Sequence, residues 1–365
     1  MLPVSLALAL AALLFRLVSP SEIRALLDLH LLSLFLVLIL AVECLKRSGL
    51  VEAVVARVLS RVRSERALAA LAVLTTGAVS AMVTNDVALL LVVPFTLAFE
   101  NVAPEFDPLR VVVLEIQAAN LLGCLTPTGN PQNLLLFSRG GFTTVSFFAA
   151  QLPWVAGMAA ATLALVPLLV PRRPLPAPPE TDRPVEPRLA TAGLFLLSLQ
   201  LLAISQAVPR LVPLVAAVPA AALLGKRLLK TDFTLIGVFS ALFVGVEGLR
   251  RSAVFGALDP VALLGATPAG FVVSGALVSQ LVSNVPAAIL LSPAAAKAGG
   301  GALFTALLYG VNAGGCGTPI ASLANLIGAD LYLRGRTHHA PFWRLFLAVS
   351  FALLAVAVAL SLALA

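Results

Sequence analysis

The stretch Val83-Thr84-Asn85-Asp86-Val87-Ala88-Leu89-Leu90-Leu91, VTNDVALLL, sets a hydroxyl, an amide and a carboxylate inside a long apolar run. About two hundred positions later Val282–Leu290, VSNVPAAIL, repeats the change from polar to apolar. Burying such groups costs free energy unless each finds a partner, so both stretches ask what surrounds them.

The composition answers the first part. Of 365 residues, 60% are hydrophobic and only 11% charged, with a mean hydropathy of +1.04. A soluble domain carries about a quarter charged residues, so the chain reads as a membrane protein. Leu2–Val18, Leu29–Leu45, Leu189–Val208 and Pro341–Ala365 approach the ~20 residues that cross a bilayer. Val145–Val170 is longer and crosses with tilt. The first run has no small-residue cleavage site, so no signal peptide is expected. Cys44, Cys124 and Cys316 sit in apolar segments, which gives neither a disulfide framework nor metal-ligand spacing. The net charge of +7 fits basic cytoplasmic loops rather than a nucleic-acid partner.

The segment 171–188, PRRPLPAPPETDRPVEPR, neither spans a membrane nor continues a helix. As a cytoplasmic linker it separates residues 1–170 from 189–365, and the two parts repeat one another. Ala41–Ser48, AVECLKRS, matches Gly245–Ser252, GVEGLRRS. Thr84-Asn85 matches Ser283-Asn284. Asn120–Pro127, NLLGCLTP, matches Asn312–Pro319, NAGGCGTP, and that register also aligns Asn133 with Asn325. Each half then holds a spanning helix carrying a glutamate and, in the first half, an amphipathic segment over 51–63. A hairpin with a polar tip follows (67–99; 266–298), then a helix broken near its middle (109–137; 303–333), and a last spanning helix. The hairpins read as re-entrant, although full spans also fit their arm lengths. With re-entrant hairpins, 17 of the 24 Lys and Arg fall on one side. Only Arg16, Arg24, Arg139, Arg210, Arg250, Arg251 and Lys297 fall on the other. The positive-inside rule then places the N-terminus in the cytoplasm and the C-terminus outside. One additional helix, Leu189–Val208, inverts the second half. The expected fold is an all-α polytopic membrane protein, an inverted repeat with two re-entrant hairpins and two interrupted helices, and such repeats mark transporters.

Non-helical backbone at membrane depth survives only against protein or water. The tips Thr84-Asn85-Asp86 and Ser283-Asn284, with the breaks Thr128-Gly129-Asn130-Pro131 and Thr318-Pro319-Ile320-Ala321-Ser322, therefore imply a shared polar cavity. Helices starting there aim free N–H groups and positive dipole ends at it, which favours an anion. Unwound carbonyls are suited to a cation. A single tip is equally well explained as an N-cap, but four tips at matched places point to a substrate site.

These residues resemble the ion transporter superfamily, which includes divalent anion/sodium symporters, arsenite permeases and NhaD-type sodium/proton antiporters. Thr84-Asn85-Asp86 with Pro94, and Ser283-Asn284-Val285 with Pro293, resemble its Ser-Asn-Thr signatures with their following proline. Gly129-Asn130-Pro131-Gln132-Asn133-Leu134 resembles its broken-helix segment, and Ala321–Leu326 is the weaker partner. The resemblance covers nearly the whole chain and is nearest to the arsenite-permease-like "citrate transporter-like" anion permeases. It implies an elevator-type transporter with an anion at the two tips and cations beside them, and a homodimer as in relatives. Asn133 and Asn325 then join the coupling-ion set with Asp86 and Glu115. The chain departs from the symporter signature at Asp86 and Val285, which replace both threonines. That weakens the case for a dicarboxylate and favours proton or cation work at Asp86.

Asp86 is costly as a buried anion unless paired. Either it alternates between protonated and charged states, or it caps the following helix from a wet vestibule. Glu115, about 7.5 Å deeper than Arg110, is either a second proton or cation site or a scaffold pairing. Glu43 and Glu247 have basic residues three and four positions on and read as structural pairs. Cys124 and Cys316 read as small packing residues, and His338 and His339 as solvated. The expected function is secondary active transport of a small anion or oxyanion coupled to H+ or Na+. The alternatives are a Na+/H+ antiporter or an arsenite/silicic-acid-type efflux permease. No cofactor is expected. A membrane enzyme is disfavoured by the lack of a His cluster or of a nucleophile beside a base. The expected location is an inner membrane.

Overall fold

The computed structural model describes residues 2–59, 62–101, 103–176, 184–204, 207–209, 211–253 and 260–365. Arg61, Arg183, Arg210 and residues 177–183 of the linker lie outside the described residues. Among the described residues the elements are helices, apart from one isolated bridge between Ser64 and Pro174.

The first half runs α1 (Leu2–Leu14), α2 (Leu29–Ser48), α3 (Leu50–Leu59), α4 (Glu65–Met82), α5 (Asn85–Ala98), α6 (Leu109–Leu122), α7 (Pro131–Gly140) and α8 (Thr144–Leu169). The second runs α9 (Pro187–Ile204), α10 (Leu211–Leu224), α11 (Thr234–Arg251), α12 (Pro268–Val282), α13 (Asn284–Lys297), α14 (Ala302–Ala313), α15 (Leu323–Leu333) and α16 (Ala340–Leu364). Among the described residues, α2, α4, α8, Leu211–Lys230 and α16 are long and apolar enough to cross a membrane. The chain is thus an all-α polytopic membrane protein.

Two packed units emerge. In the first, α1 lies on α11 and α2 lies on α9. Gly245 and Gly248 let α1 come close, since a Cβ on Gly248 would fall 2.2 Å from that of Ala12. The run expected to reach Val18 stops at Leu14, because the chain turns at Arg16 (φ 55°) and presents the Leu17 carbonyl to Arg251 at 3.2 Å. Glu22 closes this corner. The Ser19 N–H and Arg251 hold its carboxyl below the usual range.

This pairing corrects one expectation. Since α9 meets α2 as α1 meets α11, α9 is the counterpart of α1. The unmatched helix is α10, beside α9 and α2, not Leu189–Val208.

In the second unit, α4 packs on α5 and α6 as α12 packs on α13 and α14, and the halves interlock where α15 meets α5 and α6 and where α13 meets α7. Ser64 caps α4 and Thr267 caps α12 through N–H groups three residues on. Arms α5 and α13 have 14 residues each, about 21 Å against a ~30 Å hydrocarbon layer. They therefore turn back within the membrane, and the hairpins are re-entrant. Helix α6 is buried from Val111 to Leu122, so the broken helices form the centre of this unit.

Candidate functional site

Each tip and break is held by backbone and amide bonds. At the first tip the Asn85 N–H donates to the Gly129 carbonyl at 3.0 Å, tying hairpin to break. Gly129 is required there, because a Cβ would sit 2.0 Å from the Gly123 carbonyl oxygen. Thr126 Oγ1 donates to the Ala81 carbonyl and accepts the Gly129 N–H. Pro131 then starts α7 at a position that needs no N–H. At the second tip Ser283 has φ 77° and ψ 156°, a region costly for a residue with a Cβ. Its hydroxyl donates to the Ala321 carbonyl at 3.2 Å. Gln280 secures the second break: Nε2 donates to the Gly314 and Cys316 carbonyls, and Oε1 accepts the Thr318 N–H at 2.8 Å.

The four polar segments meet at one cavity of about 410 Å³. One wall is the first turns of α5, α7, α13 and α15, through Thr84, Asn85, Asp86, Pro131, Gln132, Ser283, Asn284, Val285, Ser322 and Leu323. The other is mostly apolar: Leu38, Ile39 and Val42 of α2, and Leu235, Val238, Phe239 and Leu242 of α11. Glu43, Lys46, Asp232 and Thr234 stand at the ends of these two helices and complete the wall.

Behind the cavity, Asn120 joins the halves. Its Oδ1 accepts Asn85 Nδ2 at 3.1 Å and the Ser322 hydroxyl at 2.8 Å, and its Nδ2 donates to Asn325 Oδ1 at 2.7 Å. Asn133 Nδ2 donates to the Cys124 and Thr126 carbonyls, and Asn325 Nδ2 to those of Gly315 and Thr318. Gln132 Nε2 donates to Asn312 Oδ1 at 3.1 Å. Asp86 Oδ1 has no hydrogen-bond partner.

Of the residues singled out from sequence, Thr84, Asn85, Asp86, Ser283, Asn284 and Ser322 line the cavity. Thr128, Gly129, Asn130, Asn133, Thr318 and Asn325 build the breaks behind or beside it. Glu115 lies apart, fully buried, accepting the Thr96 hydroxyl at 2.7 Å. Glu43 pairs with Arg47, and Glu247 with Arg250 and Arg251. Cys124 donates to the Asn120 carbonyl, and His339 bonds the Arg336 carbonyl. Sequence reasoning passed over Gln280, quoted Gln132 only within the broken-helix segment, read Lys46 with Arg47 as a partner of Glu43, which holds Arg47, and used Asn120 and Asn312 only as landmarks of the repeat. A lone glutamine three residues before Ser283 in an apolar arm was the available signal for Gln280.

The comparisons agree with this architecture. A family model described as "Citrate transporter" (CitMHS) matches residues 2–304. The inner membrane protein YbiR of Escherichia coli K12 is 32% identical over 334 residues, 90% of this chain and 86% of that protein. An uncharacterized transporter of Methanocaldococcus jannaschii, MJ0456, is 28% identical over 330 residues, 88% and 86% of the two chains. The Alcanivorax borkumensis YdaH transporter, whose crystal structure is described as having an unusual topology, shares the fold at a TM-score of 0.55 and 17% identity, over 94% of this chain and 89% of that one. Sequence, fold and relatives together make this chain an integral membrane transporter, and it belongs to the citrate transporter family, CitMHS.

Proposed function

We propose that the protein is a secondary active transporter that moves a small anion or oxyanion together with protons, by sliding the hairpin and broken-helix unit along the wall of α2 and α11. The observation that carries this reading is the meeting of four helix N-termini, two from each half, at one cavity. Each supplies first-turn N–H groups with no intrahelical acceptor and about half a positive charge. Together they favour a negatively charged solute.

The state of the breaks favours protons over Na+. A cation held by unwound backbone is coordinated by carbonyl oxygens, and each N–H that a carbonyl accepts occupies one of its two lone pairs. Here the Cys124, Thr126, Gly314, Gly315, Cys316 and Thr318 carbonyls already accept amide N–H from Asn133, Asn325 and Gln280. Among the cavity acids, Glu43 is held by Arg47 and Asp232 accepts the Thr234 N–H. Asp86, with one oxygen unpartnered, is the acid left to take up and release a proton at the tip. A carboxylate at this place also suits exchange of a cation for a proton, which is the second reading.

The test is uptake into proteoliposomes under an imposed pH gradient, with and without Na+, with a lumenal pH dye. The solutes are citrate, succinate, sulfate, phosphate, arsenite and silicic acid. The expected outcome is accumulation of an anion with proton entry, unaffected by Na+. Asp86→Asn is expected to abolish gradient-driven accumulation and leave counterflow measurable. A pH change on adding Na+, with no solute moved, would replace this reading by cation/proton exchange.

A further inference from the structure

The two repeat-related glutamates treat their basic neighbours differently. Glu247 holds both Arg250, through two bonds of 2.7 Å, and Arg251 at 2.7 Å. Glu43 holds only Arg47, at 2.6 Å. Lys46, the counterpart of Arg250, has no carboxylate within ion-pair distance among the described residues. It is exposed, and among the described residues it is the one basic side chain in the cavity wall. It stands on α2, across the cavity from the four helix N-termini.

On the reading of the cavity as an anion site, we infer that Lys46 is a specificity-determining residue: it holds the second negative charge of a multivalent anion whose first charge rests on the helix N-termini. The mobile unit then offers neutral N–H groups and dipoles, which reward any oxyanion. The fixed wall offers a full charge, which rewards only an anion long enough and charged enough to reach it. Because α2 belongs to the wall, this contact exists only while the cavity opens toward the Lys46 end and is given up when the unit slides away. Lys46 therefore acts on capture from that face and not on the crossing itself. On the opposite face Arg250 is committed to Glu247, so loading there depends less on anion valence.

The measurement is initial uptake by proteoliposomes of succinate against succinamate and of sulfate against methyl sulfate. Wild type, Lys46→Gln and Lys46→Glu are compared at low and high ionic strength. In Lys46→Gln the KM for the multivalent member is expected to rise about five-fold, the size of one partly exposed charge pair. The maximal rate and the KM of the singly charged analogue stay near wild type, and the dependence on ionic strength flattens. Lys46→Glu is expected to raise the multivalent KM further. Equal changes for both members of a pair, or an unchanged KM in a variant that still transports, would overturn the assignment of Lys46 alone. A wild type that moves none of these anions would overturn it together with the anion reading.

Discussion

At the scale of single residues, Asn120 and Asn312 occupy matched positions and are equally buried, at 2% and 1% exposure, so truncating either removes the same packing. Their polar consequences differ. Asn120 serves Asn85, Ser322 and Asn325 at once. Asn312 accepts one bond from Gln132, and its Nδ2 has no partner. A buried polar group stripped of its partner costs about 1–3 kcal/mol. Asn120→Ala is therefore expected to destabilise by about 3 kcal/mol or more and Asn312→Ala by about 1 kcal/mol, read as thermal midpoints of the purified proteins. Equal losses would mean that packing around the breaks, not the amide network, holds the halves together. The same comparison explains what the sequence could not reveal. Both asparagines repeat in the sequence and both reach the other half, Asn312 through Gln132 alone and Asn120 through Ser322 and Asn325, and that difference depends on how α15 packs against α6.

At the scale of elements, the exposed Lys46 and Asp232 line the cavity at one end of α2 and α11, and the other end of these helices meets the hairpin and broken-helix unit. That meeting involves Arg139 at the end of α7. Its guanidinium lies 3.8 Å from Asp28, donates to the Ser292 hydroxyl at 3.1 Å, and sits 5.5 Å from the centre of the Phe243 ring. Asp28 and Phe243 belong to the wall; Arg139 and Ser292 belong to the hairpin and broken-helix unit. Asp28 also caps α2 through the Leu31 N–H at 3.0 Å, a role asparagine fills equally well. Asp28→Asn should thus remove the charge pair and spare the helix. A pair this exposed is worth up to about 1 kcal/mol, so counterflow exchange should quicken by at most about five-fold, with a thermal midpoint lowered by no more than about 2 °C. An unchanged exchange rate would place the pair in the static framework. From sequence alone the hairpins, the breaks and their polar tips were legible, because glycine, proline and N-cap residues interrupt otherwise unbroken apolar runs. The identity of the additional helix was not. Helices α9 and α10 are both apolar, and only the pairing of α9 with α2 shows that α10 is the unmatched one.

At the scale of the whole molecule, two halves with one internal pattern allow a second arrangement in which they exchange roles. The register that aligns Glu43 with Glu247 also aligns Asp28 with Asp232, and both aspartates accept a backbone N–H at the start of their helix. The register that aligns Asn133 with Asn325 aligns Arg139 with Leu331. In the present arrangement Arg139 meets Asp28, while Asp232 lines the open cavity. Exchanging the halves brings Leu331 to Asp232 and frees Asp28. In a chain whose Cys44, Cys124 and Cys316 are replaced by alanine, cysteine pairs at 28 and 139 and at 232 and 331 should each react with a bifunctional thiol reagent about as long as an arginine side chain. Each cross-link should stop transport, and each should protect its own closed face while leaving the other open to a membrane-impermeant thiol label. Formation of the first cross-link alone, with transport intact, would show that the unit does not slide against α2 and α11. Because leucine replaces arginine in the second pairing, that arrangement lacks a charge pair across its closure. The state with Arg139 on Asp28 should therefore be the more populated one in the absence of solute, and the 232/331 pair, in a chain that keeps this charge pair, should cross-link more slowly than it does when Asp28→Asn is added.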